Sequence, residues 1–248
     1  MKHCDVLIVG AGLLGCFAAR SLSAYALDTV VLEAREDVCT GISRANTGII
    51  YAGYDTKPHT LKTDLCVRAN RGFDALCAEL DVPFSRCGSL MIACGGRAEE
   101  VLRRKYRDGL ENGVEGLRLL CGEEVRALEP NLTKDVSLGL LASGSGTVDP
   151  WALGIAAYEN ALANGAEFRF NEAVEQMERT EGGFLVHTAK ESYFAKAVWN
   201  CAGLCADRVR ELCETPSVRI FPSAADYLVL DTGAQNFLRH IIFHEPEE

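Results

Sequence analysis

Near its start the chain runs Asp5-Val6-Leu7-Ile8-Val9 into Gly10-Ala11-Gly12-Leu13-Leu14-Gly15, then into a small-residue helical pattern through about Ala24. A G-x-G-x-x-G pattern between an apolar strand and a helix restricts the fold more than any other feature of this sequence. The first glycine permits a tight turn and the second lets backbone approach a pyrophosphate. The third lets strand and helix pack closely, so that the helix N-terminus faces the anion. Thr29–Leu32 is a second β-branched, apolar run ending at Glu33, which closes a βαβ unit. A carboxylate at Glu33, followed by Ala34 and Arg35, stands where ribose hydroxyls are accepted. It would repel a 2′-phosphate, which disfavours NADP. The motif alone does not separate FAD from NAD.

Length and composition exclude several classes. The 248 residues, 48% hydrophobic and 24% charged, suffice for one large or two small domains with a sizeable core. No stretch reaches the roughly eighteen uninterrupted apolar residues of a membrane span, so no transmembrane segment is expected. The N-terminal apolar run leads straight into an ordered motif, unlike a signal peptide. A formal net charge of −10 argues against a nucleic-acid partner. Eleven cysteines, an odd number without a C-x-x-C pair, read as reduced thiols of a cytoplasmic protein. Cys201 and Cys205 have no second pair or nearby histidine to complete a zinc site, and no metal is expected.

Further along, Cys39–Lys57 is rich in Gly, Ser, Thr and Asn and reads as a functional loop, and Thr60–Leu80 has helical spacing. Gly88–Cys94 is strand-like, Arg97–Asn112 a charged amphipathic helix, and Glu123–Leu128 a short helix. Asp149 can cap a helix with Pro150 as its first residue, running to about Ala163. Short strands follow at Glu167–Phe170, Ala173–Glu178, Phe184–Thr188 and Tyr193–Phe194, then a buried strand at Ala197–Cys201. The expected architecture is α/β, a Rossmann-like domain formed by residues 1–80 and 147–215. Interleaved with it is an α+β substrate domain formed by residues 81–146 and 216–248.

Beyond Gly10–Gly15 and Glu33, three segments stand out: Ser43-Arg44-Ala45-Asn46-Thr47-Gly48-Ile49-Ile50-Tyr51-Ala52-Gly53, Gly146-Thr147-Val148-Asp149-Pro150-Trp151 and Val198-Trp199-Asn200-Cys201-Ala202-Gly203. In order and spacing they resemble the FAD-dependent flavoproteins grouped with D-amino-acid oxidase, within the branch of L-2-hydroxyglutarate and glycerol-3-phosphate oxidases and dehydrogenases. The resemblance implies an FAD-binding domain. Its first loop, through Ser43, Arg44, Asn46, Thr47, Gly48 and Ile49, passes the flavin ring, ribityl and phosphate groups. The second segment opens the helix that rejoins the cofactor domain. The third ends a strand near the dinucleotide, with Cys201 replacing an alanine before Ala202 and Gly203. Val174 matches the position whose backbone meets the adenine. The residue types agree with this placement, since Ser43, Arg44, Asn46 and Thr47 supply hydroxyl, amide and guanidinium donors.

The implied activity is hydride transfer from the CH–OH group of a small anionic substrate, such as L-2-hydroxyglutarate or glycerol 3-phosphate, to flavin. The electron acceptor is unassigned. The alternatives are an amino-acid or amine oxidase on the same fold, or a catalytically silent nucleotide-binding fragment. In the hydroxyglutarate branch a histidine stands at the place of Tyr51. A phenol with a pKa near about 10 is a poor base at neutral pH, so Tyr51 either orients substrate or leaves the base to another group. Tyr54 and Arg86 are candidate anion contacts; His240 and His244 lie in a strand-like stretch, Leu238–His244, and could face the flavin. In the family the chain continues past a segment resembling Ile241–Pro246 and adds a segment closing over the flavin, so a C-terminally truncated chain is expected.

Overall fold

The computed structural model describes residues 1–234 and 237–244, so Glu245 and Pro246 of the C-terminal resemblance lie outside the described residues. Two compact units divide the chain. The first comprises 1–46, 80–82 and 149–225, and the second 47–79, 83–148 and 226–248.

The first unit is built on β1 (Lys2–Val9), β2 (Thr29–Leu32) and, later in the chain, the strands Glu167–Arg169, Val174–Thr180, Gly183–Thr188 and Ser192–Asn200. The last of these pairs parallel to β1 on one side, β2 pairs parallel to β1 on the other, and Glu167–Arg169 pairs parallel to β2. Val6 and Ile8 point into one apolar cluster and Leu7 and Val9 into another, so the Val6–Val9 half of β1 is buried on both faces and reads as an unbroken apolar run. On the Val6 face lie α1 (Leu13–Leu22) and the helix Pro150–Ala163, whose small residues Cys16, Ala19, Ala157 and Ala161 are fully buried. Asp149 caps the second helix as expected, its carboxylate accepting the N–H groups of Trp151 at 2.9 Å and Ala152 at 3.1 Å. One element differs from expectation. Tyr193–Phe194 and Ala197–Cys201, read as separate strands, form one continuous strand, Ser192–Asn200, because its whole length pairs with β1.

The second unit holds β3 (Ile49–Ile50), α2 (Leu61–Glu79), β4 (Phe84–Ser85), β5 (Ser89–Ala93), α3 (Gly96–Glu111), β6 (Leu117–Cys121), α4 (Gly122–Leu128), β7 (Leu138–Ala142) and β8 (Gly146–Val148). In chain order the first unit's later elements are then α5 (Pro150–Ala163), β9 (Glu167–Arg169), β10 (Val174–Thr180), β11 (Gly183–Thr188), β12 (Ser192–Asn200) and α6 (Ala206–Glu211), and β13 (Ile241–His244) returns to the second unit. The first unit's sheet has the order β10-β11-β12-β1-β2-β9. The second unit carries the sheets β13-β5-β7-β6 and β3-β8-β4. Met91 and Ala93 of β5 face a core shared with Leu102 and Leu140, while Leu90 and Ile92 face Leu120, Val125 and Val136.

Residues 47–79 fall in the second unit rather than with the nucleotide-binding pattern. The Asn112 amide donates to the carbonyls of Gly53 and Thr56, both at 3.0 Å, and that of Asn70 to the carbonyl of Tyr51 at 3.0 Å, which ties this segment to α2 and α3. Residues 216–225 fall in the first unit, where the Asp207 carboxylate accepts the Ile220 N–H at 3.0 Å. Among the described residues no helix is long and apolar enough to cross a membrane.

Candidate dinucleotide-binding site

The turn between β1 and α1 is closed by hydrogen bonds to its neighbours. Gly10 has φ 100° and donates its N–H to the Leu32 carbonyl at 2.8 Å, and a Cβ there would lie 2.6 Å from the Cys201 carbonyl oxygen. Cys201 itself donates its N–H to Val9 at 2.9 Å. A side chain at Gly15 would enter the carbonyl of Gly10. Both positions therefore require glycine, one by conformation and one by proximity. Gly12 differs. It caps α1 with extended backbone that any residue adopts, and a Cβ there would meet only the Ser43 hydroxyl, 3.2 Å away.

The open space above Gly12 faces the first turn of α1, whose N–H groups have no intrahelical acceptors. One of them, from Leu13, donates to Ser43 Oγ at 2.8 Å, which holds this hydroxyl at the positive end of the helix, where an anion is favoured. Leu14 is exposed beside it, and α1 has no acidic residue in its first turn to compete. Arg44 lies over the Trp151 ring, 5.8 Å from its centroid. The Asn46 amide bonds back to the carbonyls of Ile42 at 3.1 Å and Ser43 at 2.9 Å, shaping the loop.

Glu33, at the end of β2, accepts the N–H of Ala11 through Oε2 at 2.7 Å and that of Arg35 through Oε1 at 3.0 Å. The Glu33 carbonyl accepts Glu172 N–H and the Arg35 carbonyl accepts Asn171 N–H, each at 2.8 Å. This brings the segment leading to Val174 alongside Glu33 and Ala34. Ala202 and Gly203 follow Cys201, with Ala202 N–H bonded to the Asn200 side chain at 3.2 Å. The Cys201 thiol is held above its ordinary pKa by burial.

The rest of the loop belongs to the second unit. Gly48, at φ 63°, accepts Val148 N–H at 2.9 Å through its carbonyl, and Ile49 pairs with Thr147, with Thr47 just before them. Tyr51 is 46% exposed and stacks on Phe243, with centroids 5.9 Å apart. Desolvation, with a smaller contribution from Asp55, pushes its phenol above the ordinary value, which keeps it protonated.

Two expected substrate contacts have partners inside their own unit. Tyr54 is 2% exposed, its hydroxyl 3.4 Å from that of Ser89, and burial pushes its pKa up to about 12. It is a core residue, because the turn after Gly53 folds it beneath α3. Arg86 is spent on its own unit, bonding Asp74 through Nε at 2.8 Å, Asn70 through Nη1 at 3.1 Å, and the Gly144 carbonyl. Of the histidines, His240 pairs through Nδ1 with the buried carboxylate of Glu129 at 2.7 Å, and His244 ends β13. Sequence reasoning missed Glu129, Glu172 and Tyr193, whose partners stand too far along the chain to signal them locally. Among the described residues no group of three or more His, Cys, Asp or Glu could hold a metal.

Glycines forced by backbone proximity, a helix N-terminus free of acid and a strand-end carboxylate define a dinucleotide-binding α/β protein. The family profile described as FAD dependent oxidoreductase matches residues 5–247, and the chain belongs to that family. It is 38% identical over 244 residues to a glycerol 3-phosphate dehydrogenase of Caloramator mitchellensis, covering 98% of this chain and 51% of that protein. It is 31% identical over 256 residues to the mitochondrial L-2-hydroxyglutarate dehydrogenase of Homo sapiens, covering 98% and 55%. The chain thus spans about half the length of these relatives. Among solved structures it superposes on the dithionite-reduced L-alpha-glycerophosphate oxidase of Mycoplasma pneumoniae with FAD bound, at a TM-score of 0.85 and 25% identity, covering 98% of this chain and 65% of that one. Glycine oxidase from Geobacillus kaustophilus shares the fold at a TM-score of 0.79 and 22% identity, covering 86% and 58%. FAD, the family's cofactor, fits the residues present, since the first turn of α1 beyond Gly12 carries no acidic residue and Glu33 offers a fixed acceptor.

Proposed function

We propose that this chain holds FAD and supplies the cofactor-binding part of an enzyme that oxidises the CH–OH group of a small anionic substrate, a 2-hydroxy acid or glycerol 3-phosphate. The observation that carries the cofactor half is Glu33, fixed by two backbone donors beside a turn that tolerates only glycine at Gly10 and Gly15. The substrate class is supported by the relatives' names, glycerol 3-phosphate dehydrogenase and L-2-hydroxyglutarate dehydrogenase.

The residues divide the work by chemistry. Glu33 accepts from ribose hydroxyls, and Val174 presents backbone to the adenine. The first turn of α1 with Ser43 and Arg44 neutralises the pyrophosphate. Thr47, Gly48 and Ile49 are the residues that the family resemblance assigns to the flavin. When bound, FAD supplies the hydride acceptor. Tyr51, kept protonated, is suited to orient substrate as a hydrogen-bond donor rather than to act as the base. The eleven free thiols suit a reducing, cytoplasmic compartment.

The test is a panel of 2-hydroxy acids, glycerol 3-phosphate and amino acids added anaerobically to the flavin-loaded protein, read as bleaching of the flavin absorbance. Bleaching by a hydroxy substrate supports the proposal. Bleaching by amino acids alone would replace it with an amine-oxidising activity.

A further inference from the structure

Between β9 and β10 the chain turns a corner at Asn171, whose φ is 54°, a left-handed conformation that asparagine adopts more readily than most non-glycine residues. The corner is bonded by backbone to the nucleotide-binding edge, Asn171 N–H to the Arg35 carbonyl and Glu172 N–H to the Glu33 carbonyl, both at 2.8 Å. The Glu172 side chain turns inward and the residue is 5% exposed. Its Oε1 accepts the Tyr193 hydroxyl of β12 at 2.7 Å and the Thr188 hydroxyl at the end of β11 at 3.0 Å. Tyr193 is itself fully buried, in the core formed by Leu7, Leu32 and Val186.

Burying a carboxylate is costly unless it is compensated by hydrogen bonds, and packed apolar residues would hold a strand corner at least as well. This one residue bridges two places, its carboxylate meeting the Tyr193 and Thr188 hydroxyls and its backbone N–H the Glu33 carbonyl. We propose that Glu172, clamped by Tyr193 and Thr188, is a positioning residue that sets the Glu33 carboxylate and the backbone of Val174 for the adenosine half of the dinucleotide. The proposal rests on the reading that the chain holds FAD.

Glutamine keeps an oxygen that accepts both hydroxyls, whereas alanine removes it, and Tyr193→Phe removes one donor without changing shape. The experiment is calorimetric titration of the whole chain with ADP, a probe of the adenosine half alone, for the wild type and for Glu172→Gln, Glu172→Ala and Tyr193→Phe. Val186→Ala, a cavity in the same core that leaves the corner intact, is the control, and thermal melting is recorded for every protein. Glu172→Gln should bind ADP within about twofold of wild type. Tyr193→Phe and Glu172→Ala should bind about five- to tenfold more weakly, the scale of one buried hydrogen bond. Val186→Ala should melt earlier and bind normally. If Glu172→Ala does not fold, the near-isosteric Tyr193→Phe decides. A Tyr193→Phe protein that binds ADP like wild type, however much its melting temperature falls, overturns the proposal alone. A wild-type chain that does not bind ADP overturns the nucleotide reading as well.

Discussion

Glu33 and Ala11, separated by a helix and a strand in the sequence, are joined by a 2.7 Å hydrogen bond from the Ala11 N–H to Glu33 Oε2. With the Arg35 N–H on the other oxygen, the carboxylate is held before any ligand arrives, so little side-chain freedom remains to be lost on binding. Glu33→Ala should remove the acceptor of both donors and lower stability by about 1 kcal/mol at most, because the Arg35 N–H is exposed and the Ala11 bond only part-buried. Glu33→Arg should in addition nearly abolish flavin retention. Thermal melting and the flavin-to-protein absorbance ratio after gel filtration check both, and wild-type flavin content in Glu33→Arg would remove Glu33 from the site.

Gly10→Ala meets two obstacles, a φ of 100° and a Cβ 2.6 Å from the Cys201 oxygen. It should cost about 1–3 kcal/mol or more, measured by urea unfolding. Gly165, also at positive φ but with open space around it, should lose less when made alanine. Equal losses at the two positions would mean that proximity to Cys201 contributes nothing.

Tyr54→Phe tests whether the buried phenol beside Ser89 reaches substrate. Ser89 and Ser145 still bond each other at 2.8 Å without the phenol, so stability should change by no more than about 1 kcal/mol. In flavin-loaded protein that is reduced by substrate, the substrate concentration for half-maximal reduction should be unchanged. A tenfold rise would return Tyr54 to the substrate site.

The pairing of Asp74 with Arg86 carries a pH signature. The guanidinium beside it holds the Asp74 carboxyl below its ordinary value. Its stabilisation is therefore present above the unfolded pKa of about 3.9 and is lost as pH falls through the lower folded value. Because Asp74 is well exposed, Asp74→Asn should cost at most about 1 kcal/mol at pH 7. The difference from wild type should shrink as acid unfolding is followed below about pH 4. A difference that is constant with pH would mean that the charge does not contribute.

Thiol chemistry gives an independent check of burial. Cys121 and Cys205 are exposed, whereas burial, aided by Asp5, pushes Cys4 up to about 11, and Cys16 is raised by its contact with Cys39 and by burial. Iodoacetamide followed by peptide mass mapping should label Cys121 and Cys205 first and Cys4 and Cys16 last.

What could be read from the sequence was local. The Gly10–Gly15 spacing announces its turn within one short motif, although Gly10 itself is enforced by Cys201 and Leu32 from far along the chain, and Asp149 and Pro150 announce α5 by the capping chemistry of a single turn. Thr29–Leu32 is bounded as expected because it is buried on both faces. The partners of Tyr54 and Arg86 were not legible, because a polar residue in a loop looks alike whether it meets solvent, substrate or its own core. Only the fold brings Ser89 to one and Asp74 to the other. Glu172 gave no signal at all, since its partners arrive from β11 and β12 and its neighbours resemble an ordinary turn.

The central claim, that FAD is held by the turn from Gly10 to Gly15, is tested most directly at Gly12, where the backbone accepts any residue but the space belongs to the pyrophosphate. The measurement is fluorescence titration of FAD into the 248-residue chain and into Gly12→Val, with circular dichroism to verify that both are folded. Saturable binding by the wild type, lost in a folded Gly12→Val, is the predicted result. A folded Gly12→Val that binds FAD as tightly as wild type, or a folded wild type that binds none, would contradict it.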